Sequence, residues 1–495
     1  MGLKSILGKP YAKLIDRFNK KWINKPLEAQ ERVLNSLIKT AKKTAFGVDH
    51  QFTEINSYED FKARIPIVDY EQIKHYIERI QEGEKDVLWP GFPLYFCKTS
   101  GTTSGVKYIP ISKDSMFFQV KCAKDAILSY VSETGDNNPL KGGNIFIQGS
   151  PELDKQNSIP LGRLSGIAAH YVPWYLQSSN YPSFETNCIE EWEDKLDAII
   201  DETLGQNMTL ISGIPPWVQM YFERIVAKTG KKVSSVFPNF SLLVFGGVAF
   251  EPYRESFKQL VGKEVPSVET YPSSEGFIAY QDTRSEEGML LCVNHGIFYE
   301  FIPVNEYFDE NPTRVALDGV ELGVDYALIL NTNAGLWGYS IGDTVRFVSK
   351  KPYRLVVSGR IKHFTSAFGE HVIGKEVENA LRLAIEKHPA EVNEFHVAPQ
   401  ISPKQGPPFH EWFIEFKKEP KNLEGFMLCL DEGMRSQNTY YKDLIDGNVL
   451  RPLVVFRVQK GGFIQYMKSV GKLGGQNKVP RLANNRDIAD ILKNF

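Results

Sequence analysis

The sequence predicts an α/β protein in two parts, and three observations predict it. Short apolar strand-like runs alternate with amphipathic helices through the middle of the chain. Strands and tight turns take over across 290–348, and the tail mixes one helical stripe with three further strands. The joint is expected near Ser358-Gly359-Arg360. That gives an N-terminal domain of helix-covered sheets over 1–358 and an α+β domain over 359–495, the latter within the usual size range of a domain.

Taken in order, the chain opens with Tyr11, Leu14, Ile15, Phe18 and Trp22 at three- and four-residue spacing. This stripe predicts a helix docked on the core. MTLISG (208–213) reads as a buried strand. Pro215-Pro216 then start an amphipathic stretch through Val218, Tyr221, Phe222, Ile225 and Val226, which stops at Gly230. The pattern repeats with SLLVFGG (241–247), and Pro252 suits the first turn of the next helix. Two successive strand–turn–helix units predict a mostly parallel sheet. LLCVN and IFYEFIPV flank His295-Gly296 as a predicted hairpin, and YALILNT and 339–348 flank a turn at Asn333-Ala334-Gly335. In the tail, Val377, Leu381, Ile385 and His388 mark a helix, with strands near 392–398, 411–416 and 453–458.

Composition narrows the function. Apolar residues make up 42% of 495 and charged residues 24%, with 58 basic against 60 acidic side chains and a net charge of −2. No global charge draws the chain to nucleic acid or to a membrane surface. No run reaches the ~18 apolar residues of a membrane span, and no secretory leader pattern opens the chain, so the expected location is the cytoplasm. The five cysteines are scattered without a Cys-x-x-Cys pair, which argues against both a disulfide framework and a structural zinc site. Cys292 and His295 have a zinc-like spacing but no second pair, and read as strand and turn residues.

The strongest local motif is TSGTTSGVK. Thr99, Ser100, Gly101, Thr102, Thr103, Ser104 and Gly105 form a hydroxyl-rich loop whose backbone N–H groups can approach phosphate oxygens, and Lys107 adds positive charge. It departs from the Walker spacing, in which Lys directly follows the second glycine. Alone, such a stretch is most often a polar surface loop. Two constellations strengthen it. TYPSSEG (270–276) offers Glu275 as a carboxylate for Mg²⁺ beside phosphates. GLWGYSIGDTVRF (335–347) offers Asp343 as an acceptor for ribose hydroxyls.

These motifs, in this order, together with SGRIKHFTSAFGEHVIGKEVE (358–378), resemble the adenylate-forming superfamily of acyl-CoA ligases, luciferases and nonribosomal-peptide adenylation domains. FGGVAFEPY before YPSSE, the phrase TNAGLWGYSIGD, and GGQNKVPR near the end are most similar to the auxin-responsive Gretchen Hagen family of acyl-acid amido synthetases and its bacterial homologues. The resemblance covers roughly 90–485.

It implies a large adenylate-forming-type N-terminal domain and a smaller, mobile C-terminal domain. It also implies ATP and Mg²⁺ as cofactors, with a carboxylic acid and an amine, an amino acid first, as substrates. Residue by residue, the loop 99–107 would cradle the β- and γ-phosphates, Glu275 would hold Mg²⁺, and Asp343 would bind the ribose. Gly246 and Gly247 would lie near the adenine, with Tyr271 and Ser274 in the same ATP-binding set. Arg360 would sit at the hinge, and Lys478 would reach the reacting centre during adenylation. The implied reaction forms an acyl adenylate and then an amide. Transfer to coenzyme A and an inactive nucleotide- or carboxylate-binding homologue are the alternatives.

The chain departs from the plant pattern at Gly338 and Ser340, where plant members carry arginines, and near His371, where they have a lysine. Compensating charge would come from Arg346 or Arg360. The aromatic stretch HYVPWYLQ (170–177) either lines an acyl pocket or packs in the core.

Overall fold

The computed structural model describes residues 3–99, 106–173, 177–248, 250, 253–361, 364–365, 367–370, 372–470 and 479–495. Two compact units divide the chain. The first holds 1–99, 107–188 and 197–361, and the second gathers 100–106 and 189–196 with 362–495.

The first unit is built on an eleven-stranded mixed sheet. Its parallel half joins the strands Asn180–Tyr181, Gly143–Ile147, Met208–Gly213, Leu242–Gly246 and Ser267–Ser273 side by side. The helix Pro215–Thr229 follows the 208–213 strand and ends at Gly230 in the left-handed conformation, as the sequence predicts. The parallel arrangement stops at Ser273. From there Gly276–Tyr280, Met289–Leu291, Tyr353–Arg360, Tyr339–Lys350, Asp325–Thr332 and Ile297–Pro303 all pair antiparallel. The expected mostly parallel sheet is therefore corrected to a mixed one, because the tight turn at Ser274-Glu275 reverses the chain with no crossover helix.

Two other expectations change. The segments around His295-Gly296 are not a hairpin: Met289–Leu291 pairs with 276–280 and 353–360, whereas Ile297–Pro303 pairs with 325–332. The turn carries the chain between different neighbours instead. In the helix Leu3–Ile23, Tyr11, Leu14 and Phe18 are 42%, 48% and 52% exposed, and the core-facing side is Ala12, Ile15, Asn19 and Trp22. The spacing found the helix, but the buried face is rotated toward the long helix Lys113–Thr134, which offers Asp125 as a buried partner for Asn19 at 2.9 Å.

A smaller sheet of the first unit pairs Tyr95–Thr99 antiparallel with Lys107–Ile111 and parallel with Ile159–Gly162. The second unit holds the three-stranded sheet Glu391–Gln400, Phe409–Lys418 and Val454–Val458, with the helices Gly374–Lys387 and Leu423–Gln437. Its core includes Phe413, Val458, Phe463 and Met467. No helix among the described residues is long and apolar enough to cross a membrane.

Candidate active site

The strands on either side of the hydroxyl-rich motif pair antiparallel. Thr99 and Lys107 are cross-strand partners at the ends of Tyr95–Thr99 and Lys107–Ile111, so residues 100–106 form the connection between them. Ser100, Gly101, Thr102, Thr103, Ser104 and Gly105 lie outside the described residues. Lys107 is half-buried, with its ammonium 5.6 Å from the centre of the Tyr70 ring. Burial pushes the Lys107 amine down, and the Arg360 charge adds to that, while Glu275 opposes it.

Glu275 stands at the tip of a two-residue turn between Ser267–Ser273 and Gly276–Tyr280, where Ser273 pairs with Gly276. The Ser273 hydroxyl accepts from the Gly276 N–H at 3.2 Å, and the Ser273 carbonyl accepts from Gln119 Nε2 at 2.7 Å. The turn is therefore held from both sides. Burial pushes the Glu275 carboxyl up. Its own backbone N–H, Lys107 and Arg360 pull the other way, and the Asp343 charge adds to the rise. Ser274 receives a hydrogen bond from the buried Cys97 thiol at 3.1 Å.

Asp343 lies on Tyr339–Lys350, in register with Arg360 on Tyr353–Arg360. Its Oδ1 is 2.5 Å from Arg360 Nε, and its Oδ2 accepts from the Tyr271 hydroxyl. Burial drives the Tyr271 phenol well above its ordinary range, and the Asp343 carboxylate drives it further. Tyr271 thus donates a proton to Asp343 without losing it. Gly246 ends the neighbouring strand, and a Cβ there would meet the Thr270 carbonyl oxygen at 2.4 Å. Only glycine permits that approach of the two backbones. Gly247 follows directly at the strand end.

Lys107, Glu275, Asp343, Arg360 and Tyr271 therefore share one electrostatic neighbourhood, with cations and carboxylates interleaved. Of the two arginines expected to compensate for missing charge, Arg360 stands here. Arg346 is 45% exposed and clamped on Asp325 by two contacts, 3.0 and 2.7 Å long. Lys478 and His371 lie outside the described residues. In the aromatic stretch, His170 Nε2 meets the Pro151 carbonyl at 2.8 Å and the Tyr171 hydroxyl reaches that of Tyr95 at 3.3 Å; 174–176 are not described.

The departures at 338 and 340 have a structural cause. Gly338 has φ +56°, and a Cβ there would meet the Pro66 carbonyl oxygen at 2.1 Å. Ser340 is buried and accepts from the Tyr307 hydroxyl at 2.8 Å. Sequence reasoning missed Tyr70 and Gln119, which touch the site's elements from 38 and 154 residues away in the chain. No local pattern marks them.

This fold is shared with solved acyl acid amido synthetase and acyl-CoA ligase structures. The Arabidopsis acyl acid amido synthetase GH3.15 in complex with 2,4-DB superposes with TM-score 0.60 at 17% identity, covering 94% of this chain and 93% of that one. A 2-hydroxyisobutyryl-CoA ligase has the same score at 13% identity, over 95% and 92%. The GH3 family N-terminal, central and C-terminal domain models match 15–186, 290–360 and 375–487, and the chain belongs to the GH3 family. Among curated relatives, the indole-3-acetic acid-amido synthetases GH3.3 and GH3.10 of Arabidopsis thaliana are 21% and 24% identical. They cover 94% and 93% of this chain, and 90% and 92% of their own lengths. The jasmonoyl–L-amino acid synthetase GH3.5 of Oryza sativa subsp. japonica is 22% identical over 88% of each.

Proposed function

We propose that this protein is a ligase that activates a carboxylic acid as its acyl adenylate and transfers the acyl group to an amine, an amino acid being the favoured acceptor. The observation that carries the reading is the gathering of Lys107, Asp343, Arg360 and Tyr271 around Glu275, within a chain of this family. In the first half-reaction a substrate carboxylate oxygen bonds to the α-phosphorus of ATP. The bond from that phosphorus to the bridging oxygen breaks, and pyrophosphate leaves. In the second, the amine nitrogen attacks the acyl carbon, the bond to AMP breaks, and the nitrogen sheds a proton.

Chemistry of this kind is mostly positioning and charge stabilisation. Lys107, the cross-strand partner of Thr99, is assigned to the phosphate charge. Asp343, held by Tyr271 and Arg360, is oriented to accept from the ribose hydroxyls. Gly246 and Gly247, at the end of the strand beside Tyr271, are assigned to the adenine. Glu275 suits Mg²⁺: it is an oxygen donor whose ionised form burial and Asp343 both disfavour, so a cation would relieve it. When bound, Mg²⁺ supplies charge neutralisation for the phosphates. Lys478 is assigned to the adenylation step. Rotation of a C-terminal domain starting near 359 would then withdraw it and admit the amine. A cytoplasmic location fits ATP and free amino acids as substrates.

Carboxylate-dependent exchange of labelled pyrophosphate into ATP tests the first half-reaction, and product analysis with amino acids against coenzyme A tests the second. No exchange across a panel of carboxylic acids, with ATP bound, would favour a binding homologue. A thioester product would replace the amide reading.

A further inference from the structure

Apart from the nucleotide site, three groups from distant parts of the chain converge inside the first unit. Cys122 lies on the helix Lys113–Thr134, Cys292 follows the strand Met289–Leu291, and His295 lies in the turn before Ile297–Pro303. Both cysteines are 0% exposed and His295 is 3%. The ligand atoms of the three lie within 4.8 Å of one another, with the two sulfurs 3.8 Å apart.

We propose that Cys122, Cys292 and His295 form a structural binding site for Zn²⁺ or a closely similar thiophilic divalent cation. Two thiolates each about 2.3 Å from a tetrahedral zinc stand about 3.8 Å apart, the spacing found here. Two sulfurs in simple contact have a similar spacing, so the imidazole supplies the second argument. Its Nδ1 is buried without a hydrogen-bond partner, while Nε2 lies 3.2 Å from Lys121 Nζ. Trp22 and Phe118 hold the ring edge-on, at centroid distances of 5.1 and 5.2 Å. The imidazole is therefore a fixed group beside two thiols.

Charge supports the same occupant. Two uncompensated thiolates cannot share this apolar site, whereas a divalent cation with two thiolates and a neutral imidazole has no net charge. On binding, both thiol protons leave for solvent and the ring proton moves from Nδ1 to Nε2. The Lys121 ammonium then falls back on Asp125 Oδ2 and Asn19 Oδ1, which it already contacts at 2.5 and 3.3 Å. The Asp125 Oδ1 atom, buried without a partner three residues beyond Cys122, offers a further anionic oxygen on that helix face. The same helix holds the Glu275-bearing turn through Gln119, so a bound cation would pin it to the strands behind that turn.

The test uses the full chain, reduced, stripped with a chelator and titrated with Co²⁺, then Zn²⁺. The expected result is a near-ultraviolet sulfur-to-cobalt charge-transfer band that saturates at one equivalent and is bleached by Zn²⁺. Cys122→Ala and Cys292→Ala should each weaken binding by more than the about 10–100-fold typical of losing an outer-shell partner. Zn²⁺ should raise the melting temperature of the wild type and leave both variants unchanged. Circular dichroism and pyrophosphate exchange report that the variants are folded, and the wild-type titration stands even where a variant is not. Absence of the band in folded wild-type protein overturns the proposal. So does a band unchanged in both cysteine variants, or a Cys122–Cys292 disulfide as the purified state.

Discussion

Asp343 and Arg360 face each other across adjacent antiparallel strands, and the carboxylate that would meet the ribose is already bound to a guanidinium at 2.5 Å. Tyr271 holds the other carboxylate oxygen. The side chain is therefore oriented before any ligand arrives, which lowers the ordering cost of binding.

Asp343→Ala should weaken ATP binding markedly, since charge-assisted hydrogen bonds are worth ~1.5–3 kcal/mol each. Tyr271→Phe should weaken it less, because Arg360 still holds the carboxylate. Calorimetry on folded protein measures both. Unchanged affinity in Asp343→Ala would remove the ribose assignment.

Glu275→Gln keeps the shape of the turn and removes the charge. Pyrophosphate exchange should fall, and the Mg²⁺ concentration for half-maximal rate should rise. If the Mg²⁺ dependence of the variant matches wild type, Glu275 only shapes the hairpin.

Lys478→Ala should lose about 10²–10³ in adenylation rate, the usual cost of removing one preorganised charge donor. Conversion of supplied acyl adenylate to amide should survive, because the rotated domain would carry the lysine away. Equal loss in both half-reactions would end the rotation model.

Glu300 is fully buried and accepts from Arg314 by two bonds of 2.6 Å, from Tyr58 at 2.9 Å and from Asn331 at 2.8 Å. Arg314→Met removes the cation and strands the charge, and should destabilise the first unit by about 3–5 kcal/mol. Denaturant unfolding checks it; a change within experimental error would mean that the pair is not formed.

Gly338→Arg, which restores the plant residue, should destabilise rather than repair. A left-handed non-glycine residue costs about 1–3 kcal/mol, and the Pro66 carbonyl blocks the Cβ as well. A melting temperature at or above wild type would contradict this.

Local chemistry is what the sequence by itself determined. Strand and helix periods located 208–213, 215–229, 242–246 and 374–387, because side-chain spacing and caps act within a few residues. The residues around Glu275 likewise marked a turn, whereas Asp343, which the sequence suggests follows a glycine in a turn, lies inside the strand Tyr339–Lys350. Together with their chain order, these motifs carried the family resemblance.

Only the tertiary structure decided which elements are neighbours. Pairing of 289–291 with 353–360, and of 297–303 with 325–332, depends on which apolar faces find each other, so the hairpin read around His295 was wrong. The buried face of the first helix was likewise set by Asp125 and the long helix beneath it, not by the densest apolar stripe. Cys292 and His295 read as ordinary residues because their third partner, Cys122, stands 170 positions earlier than Cys292. Periodicity carries no information across such a distance; folding of the chain brings these groups together.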